Sequence, residues 1–185
     1  TQVDPAQNLP ADVAARVETL EGTPGQQDAA MGQTVTQVDI TGNQNVPVDS
    51  FRQLFRVRPG ATLTTDNVNQ DLQMIYETGW YYDVQAEYTF VPEGVRVTYV
   101  VHENPVLGNV EVVGSSIYSD NLLKRLLGLE DGQTVNSRRM SEGMRAIEAA
   151  YNKDGYILAR VSDINMQPDG NLRIIINEGI IEGFI

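Results

Sequence analysis

The chain carries one pattern twice, about 72 residues apart. Gly42 recurs as Gly114, and Pro59-Gly60 recurs at the same offset as Asp131-Gly132. Phe51, Leu54 and Phe55 return as Leu123, Leu126 and Leu127, while Val68, Leu72 and Ile75 return as Met140, Met144 and Ile147. Each copy ends on a hydrophobic run closed by an acid, VTYVVHEN and LRIIINEG. A repeat of this period specifies two small domains in tandem, not a solenoid of short units. The function therefore belongs to a repeated module, and a catalytic site built once would have to lie outside the pattern.

The length, 185 residues, allows two small domains and a tail. A domain of roughly 70 residues buries only about 60% of its unfolded surface, so each is modest in stability. The 41% hydrophobic content is enough for packed cores. Net charge is −12, with 13 Lys and Arg against 25 Asp and Glu. Binding nucleic acid or an anionic membrane surface needs clustered cations, so both are disfavoured. The absence of cysteine excludes disulfides, redox motifs and thiolate metal sites. No run approaches the roughly 18 apolar residues of a membrane helix, and no signal peptide opens the chain, so a mature or excised soluble segment is expected.

Residues 1–34 differ from the rest. TQVDPAQNLP and GTPGQQDAAMGQ have linker composition. Between them, Val13, Val17 and Leu20 follow Pro10 at helical spacing, which predicts a short helix; the alternative is an extension that orders only against a neighbour. The first domain covers 35–105. VTQVDIT (35–41) is β-branched and bounded by Gly42-Asn43, hence a strand. VDSFRQLFR (48–56) puts Phe51, Leu54 and Phe55 on one helical stripe, ended by Pro59-Gly60. Thr65 or Asp66 can cap a second helix, 66–78, with Val68, Leu72, Ile75 and Tyr76 inward and Gly79 at its left-handed end. DVQAEYTF (83–90) alternates Val84, Ala86, Tyr88 and Phe90 against Asp83, Gln85, Glu87 and Thr89, the mark of a half-buried strand. After a turn at Pro92-Glu93-Gly94, VRVTYVV (95–101) reads as a central strand.

The second domain, 106–179, repeats the order: strand 109–113, helices 119–127 and 137–153, strands 157–166 and 172–177. Gly155 answers Gly79 at an offset of 76 instead of 72, so the longer helix gains four residues, about one turn. Gly143 inside that helix costs ~1 kcal/mol relative to Ala. Either something packs closely there or the helix tolerates it, and tolerance is the expectation. The fold class is α+β: two tandem β-α-α-β-β domains, each a three-stranded mixed sheet covered on one face by two helices. Covering helices protect a face, not an edge.

Several short stretches add a family resemblance. Ile40-Thr41-Gly42-Asn43 ends the first strand, and Arg58-Pro59-Gly60 makes the bend between helices. Tyr76-Glu77-Thr78-Gly79-Trp80-Tyr81 steps into the second strand, and Val101-His102-Glu103-Asn104-Pro105 closes the unit. Tyr151, Gly155-Tyr156 and Asn177-Glu178-Gly179 occupy the same places in the second copy. With these, over about 35–179, the chain resembles a tandem of POTRA (polypeptide-transport-associated) domains from outer-membrane barrel-assembly proteins of the BamA kind and their cyanobacterial and plastid relatives. The resemblance implies strand order 1-3-2 with the second strand on an edge. It also implies a non-catalytic periplasmic module, held at the outer membrane by a C-terminal β-barrel missing from this chain. The implied partners are unfolded outer-membrane protein precursors and accessory assembly proteins, without nucleic acid or cofactor. Residues 180–185 (IIEGFI) look like the first strand of a truncated third unit.

Reactive chemistry finds little support. The single histidine, His102, has no Ser or Cys pattern around it, and the scattered acids include ordinary turn pairs at Asp131-Gly132 and Asp169-Gly170. RNA-binding KH domains also begin β-α-α-β, but they need a basic GxxG loop where this chain has Val57-Arg58-Pro59-Gly60 and Leu129-Glu130-Asp131-Gly132. The candidate site is instead a pair of strand edges that capture client polypeptide by β-augmentation. They comprise Asp83, Val84, Gln85, Ala86, Glu87 and Tyr88 in one copy and Ile157, Leu158, Ala159, Arg160 and Val161 in the other. Trp80, Tyr81, Tyr82 and Tyr156 form either an apolar lip beside these edges or ordinary core and rim packing. Glu103, Asn104, Pro105, Glu178 and Gly179 mark the unit exits, and the two acids either pin a joint or are solvated strand ends. The competing functions are a structural scaffold or spacer for accessory proteins and the arm of a dedicated secretion transporter.

Overall fold

The structure, a computed structural model, describes residues 24–179. The helix expected within 10–20 and the strand expected at 180–185 lie outside the described residues. Two compact units part between Glu103 and Asn104.

The first unit runs α1 (Pro24–Ala30), β1 (Val35–Thr41), α2 (Asp49–Arg52), α3 (Thr65–Glu77), β2 (Tyr81–Val91) and β3 (Gly94–Glu103). Its sheet has the order β1-β3-β2, with β1 parallel and β2 antiparallel to the central β3. The mixed three-stranded sheet is thus as expected. Thr64 caps α3, its hydroxyl accepting from Asn67 N at 3.2 Å, one residue before the expected caps. Val68, Leu72, Ile75 and Tyr76 are buried against Val84, Ala86, Val97 and Tyr99. Helix α1 stands where composition predicts linker, and Ala30 is fully buried in this core. Ala30, with Met31 packed against the same core just after the helix, anchors the segment, a contact that a count of Gln, Pro and Gly hides.

The second unit runs β4 (Val110–Val113), α4 (Asp120–Leu126), α5 (Ser137–Lys153), β5 (Arg160–Met166) and β6 (Leu172–Asn177). Its sheet, β4-β6-β5, has the same directions. Helix α5 has 17 residues against 13 in α3, the extra turn read from the glycine offset. Gly42 and Gly114, which open the repeat, hold φ of +96° and +90°. A Cβ at either would meet the carbonyl oxygen of Val101 or Ile176 at 2.0 or 2.1 Å, so both positions require glycine.

The two copies solve one packing problem differently. Asp71 and Gly143 hold equivalent places on α3 and α5. Asp71, 1% exposed, accepts from Arg56 N at 2.8 Å, Val57 N at 3.0 Å and the Tyr99 hydroxyl at 2.7 Å. Its carboxylate takes amides that a continuing helix would bond to its own carbonyls. Hence the expected helix over 48–56 is only Asp49–Arg52, and Leu54, expected inside, is 58% exposed. Gly143 has no side chain, and α4 lies directly on α5: a Cβ would sit 2.2 Å from the Leu126 carbonyl oxygen. The glycine is therefore a close-contact residue, not a tolerated one. There α4 completes its turns and ends through Leu129 N to Lys124 O at 3.0 Å.

Candidate functional site

Strand order places β2 and β5 at sheet edges, paired only to β3 and β6 among the described strands. A strand paired on one side directs alternate N–H and C=O groups outward. β2 is the longer edge, 11 residues against 7. Val84, Ala86 and Tyr88 are buried on its helical side, whereas Glu87 and Thr89 are exposed. Phe90, expected inward, is 51% exposed at the end of the strand. On the open face Asp83 lies opposite His102, Gln85 opposite Val100 and Glu87 opposite Thr98. His102 Nε2 is 3.8 Å from Asp83 Oδ2, and the Tyr82 ring stacks on the imidazole at 5.7 Å. Among the described residues no group of three His, Cys, Asp or Glu could hold a metal ion.

The second edge begins later than its sequence suggests. Ile157 and Leu158 lie in an exposed turn, closed by Ala159 N to Tyr156 O at 3.1 Å, so β5 starts at Arg160. Ala159 is buried, and Arg160 Nη1 bonds its carbonyl at 2.7 Å. Val161 N approaches Glu148 Oε2 at 3.4 Å, and the register slips between Val161 and Asp163. A short, bulged edge with a side chain over one amide is a poor template for pairing. Of the five residues expected on this edge, only Arg160 and Val161 belong to the strand.

The aromatic residues do not assemble into a lip. Tyr81 is 1% exposed and meets Phe51 edge-on at 6.2 Å. Burial and the nearby Glu103 push its hydroxyl up to about 12. Trp80 and Tyr156 pack on the two cores, and Tyr82 alone stacks on the open face. Their sequence density reflects the step from helix to strand, where large rings close the end of the core.

Each exit acid holds backbone amides of its own unit. Glu103 turns back into its own unit and accepts from Gln44 N at 2.7 Å, Asn45 N at 2.9 Å and Val46 N at 2.8 Å. Glu178 repeats this with Ser116 N and Ile117 N, both at 3.1 Å, and takes the Tyr151 hydroxyl at 2.7 Å. Burial opposes the charge on Glu178, but hydrogen bonds from Ser116, Tyr151 and Ile117 outweigh it and hold its carboxyl below the usual range. The repeated acid thus fastens the loop after the first strand. Asn104 is bonded into the second unit, donating to Val135 O and Ser137 Oγ, each at 2.9 Å. The Pro105 carbonyl accepts from Val135 N at 3.0 Å, and Gly179 N donates to Asn177 Oδ1 at 2.9 Å.

Asp71 belongs to no recognisable motif. Burial pushes its carboxyl up, against the amides of Arg56 and Val57 and the Tyr99 hydroxyl, which favour the charge. The signal was an acid inside an apolar stripe, between Val68 and Leu72.

Fold and edges together define a class: two small helix-backed, three-stranded sheets, each with its second strand at an edge. The POTRA family model, described as surface antigen variable number repeat, matches residues 33–104 and again 105–179, and the chain belongs to this family. The N-terminal domain of Omp85 from the thermophilic cyanobacterium Thermosynechococcus elongatus is similar at a TM-score of 0.68 and 31% identity, over 80% of this chain and 64% of that one. POTRA1-2 of the periplasmic domain of Omp85 from Anabaena is similar at 0.65 and 27% identity, over 81% of this chain and 98% of that one. The outer membrane protein assembly factor BamA of Nitratidesulfovibrio vulgaris is 22% identical over 131 residues, covering 71% of this chain. The chain spans 17% of that relative's length.

Proposed function

We propose that this chain is a non-catalytic periplasmic module of an outer-membrane protein assembly machine, and that it captures and hands over unfolded barrel precursors by β-augmentation. The carrying observation is β2, an 11-residue strand at the edge of its sheet. Similarity to Omp85 and BamA proteins supports the setting. Accessory assembly proteins and a membrane β-barrel in the same polypeptide are the further partners this reading requires.

Magnitudes fix the character of the contact. Each added backbone hydrogen bond contributes a net ~0.5–1.5 kcal/mol. Ordering each client residue costs about 1–2 kcal/mol. The terms nearly cancel, so capture is weak and reversible, as hand-over demands. Backbone pairing also accepts many sequences, which suits a module serving many precursors.

Proline scanning tests the reading. Neighbouring residues of a strand aim their N–H groups to opposite sides, so one of Gln85→Pro and Ala86→Pro removes an outward donor and the other a ladder donor. Circular dichroism identifies the variant that stays folded. That variant loses binding to unfolded barrel-strand peptides in an NMR titration; unimpaired binding refutes edge capture.

A further inference from the structure

We infer that the β2 edge selects client strands whose polar face carries lysine or arginine; this rests on the edge-capture reading above. An added strand sets its side chains directly opposite those of its neighbour, with Cβ atoms about 4.5–5.5 Å apart. On the open face of β2 the side chains it meets are Asp83, Gln85, Glu87 and Thr89: two acids and no cation. Asp83 is partly engaged by His102 and by Gln85, whose amide donates to it at 3.2 Å. Glu87 is exposed at mid-strand. Arg96 sits one strand inward, opposite Thr89, and is turned away toward β1, held by Asp39 at 3.0 Å and Gln37 at 3.1 Å. β2 itself carries no lysine or arginine, in a chain of net charge −12. On the other side of an incoming strand, the half-exposed Phe90 ring offers an apolar contact.

The same acids explain how the edge stays open. Two copies of β2 pairing antiparallel about Gln85 would set Asp83 against Glu87 twice, and like charges directly opposite are destabilising. Charge on an edge strand is a common guard against self-association. Here it repels a second copy and attracts a cationic strand. The polar side of β5 is different: it begins at Arg160 and carries Asp163 and then Asn165, which faces Arg173. That mixed set gives β5 no preference of this kind.

Two peptides with the same alternating Val, Leu and Tyr face decide it, one with Lys and one with Glu on the polar face. Each is titrated into the isotope-labelled 185-residue chain at low salt, and amide shifts along 81–91 are followed. An exposed opposite-charge pair is worth about 1.5- to 5-fold in affinity, so two acids give the Lys peptide a roughly 2- to 25-fold advantage. Salt shrinks that advantage, and Glu87→Lys lowers or reverses it. Equal affinity for the two peptides overturns the selectivity and leaves edge capture standing. Failure of both peptides to shift 81–91 overturns edge capture and selectivity together. A Lys preference unchanged in folded Glu87→Lys overturns the role given to Glu87.

Discussion

Replacing Gly143 by alanine sets helix propensity against packing, and the structure predicts that packing wins. In an exposed helix the change would stabilise by about 1 kcal/mol. At this site the new methyl would lie 2.2 Å from the Leu126 carbonyl oxygen and 2.5 Å from Leu127 Cα. Ordinary carbon contacts lie near ~3.5–4.0 Å, so α4 must move by about 1 Å or more. Its backbone offers no rotamer by which to yield. Overpacking typically costs ~1–3 kcal/mol, occasionally more, and a backbone clash belongs at the upper end. After the propensity gain, the second unit loses roughly 2 kcal/mol. For a domain of this size that is about 8–16 °C in Tm. The assay has an internal control, because the single tryptophan, Trp80, lies in the first unit. Tryptophan fluorescence follows unfolding of the first unit, while far-ultraviolet circular dichroism follows both. Gly143→Ala should lower the dichroism transition of the second unit and leave the Trp80 transition in place. A variant as stable as the parent, or more stable, would refute the close-contact argument.

The first unit offers the converse test. Asp71→Ala strips an acceptor from two buried amides and the Tyr99 hydroxyl and should cost about 2–4 kcal/mol, read from the Trp80 transition in urea. Adding Tyr99→Phe should then cost less than it does alone; strict additivity would show that the two side chains are not coupled. Glu178 gives a pH dependence. Its folded pKa lies below the ordinary value of 4.5, so its stabilisation is present above about pH 4.5 and is lost as pH falls through the lower folded value. Glu178→Gln should therefore flatten the acid side of the second unit's stability profile, and an unchanged slope in melts between about pH 6 and pH 3 would count against this assignment.

Local patterns carried most of the fold. The hydrophobic periods of Val68, Leu72 and Ile75 and of Val84, Ala86 and Tyr88 marked elements that bury those same residues. A four-residue glycine offset was enough to announce the extra turn of α5, because helix length is a local quantity. Strand order 1-3-2 came from family resemblance, since pairing is non-local and no short spacing encodes it. Other features depended on contacts between distant segments. Asp71 ends one helix by taking the amides of residues 56 and 57, and Gly143 at the equivalent place lets the other helix run on. The repeated acids Glu103 and Glu178 looked like exits but face backward, each held by amides about 60 residues earlier in its own unit. Sequence showed that these positions mattered twice. Their bonding partners were settled only when folding brought a strand end beside a distant loop, where one carboxylate could take several of that loop's amides at once.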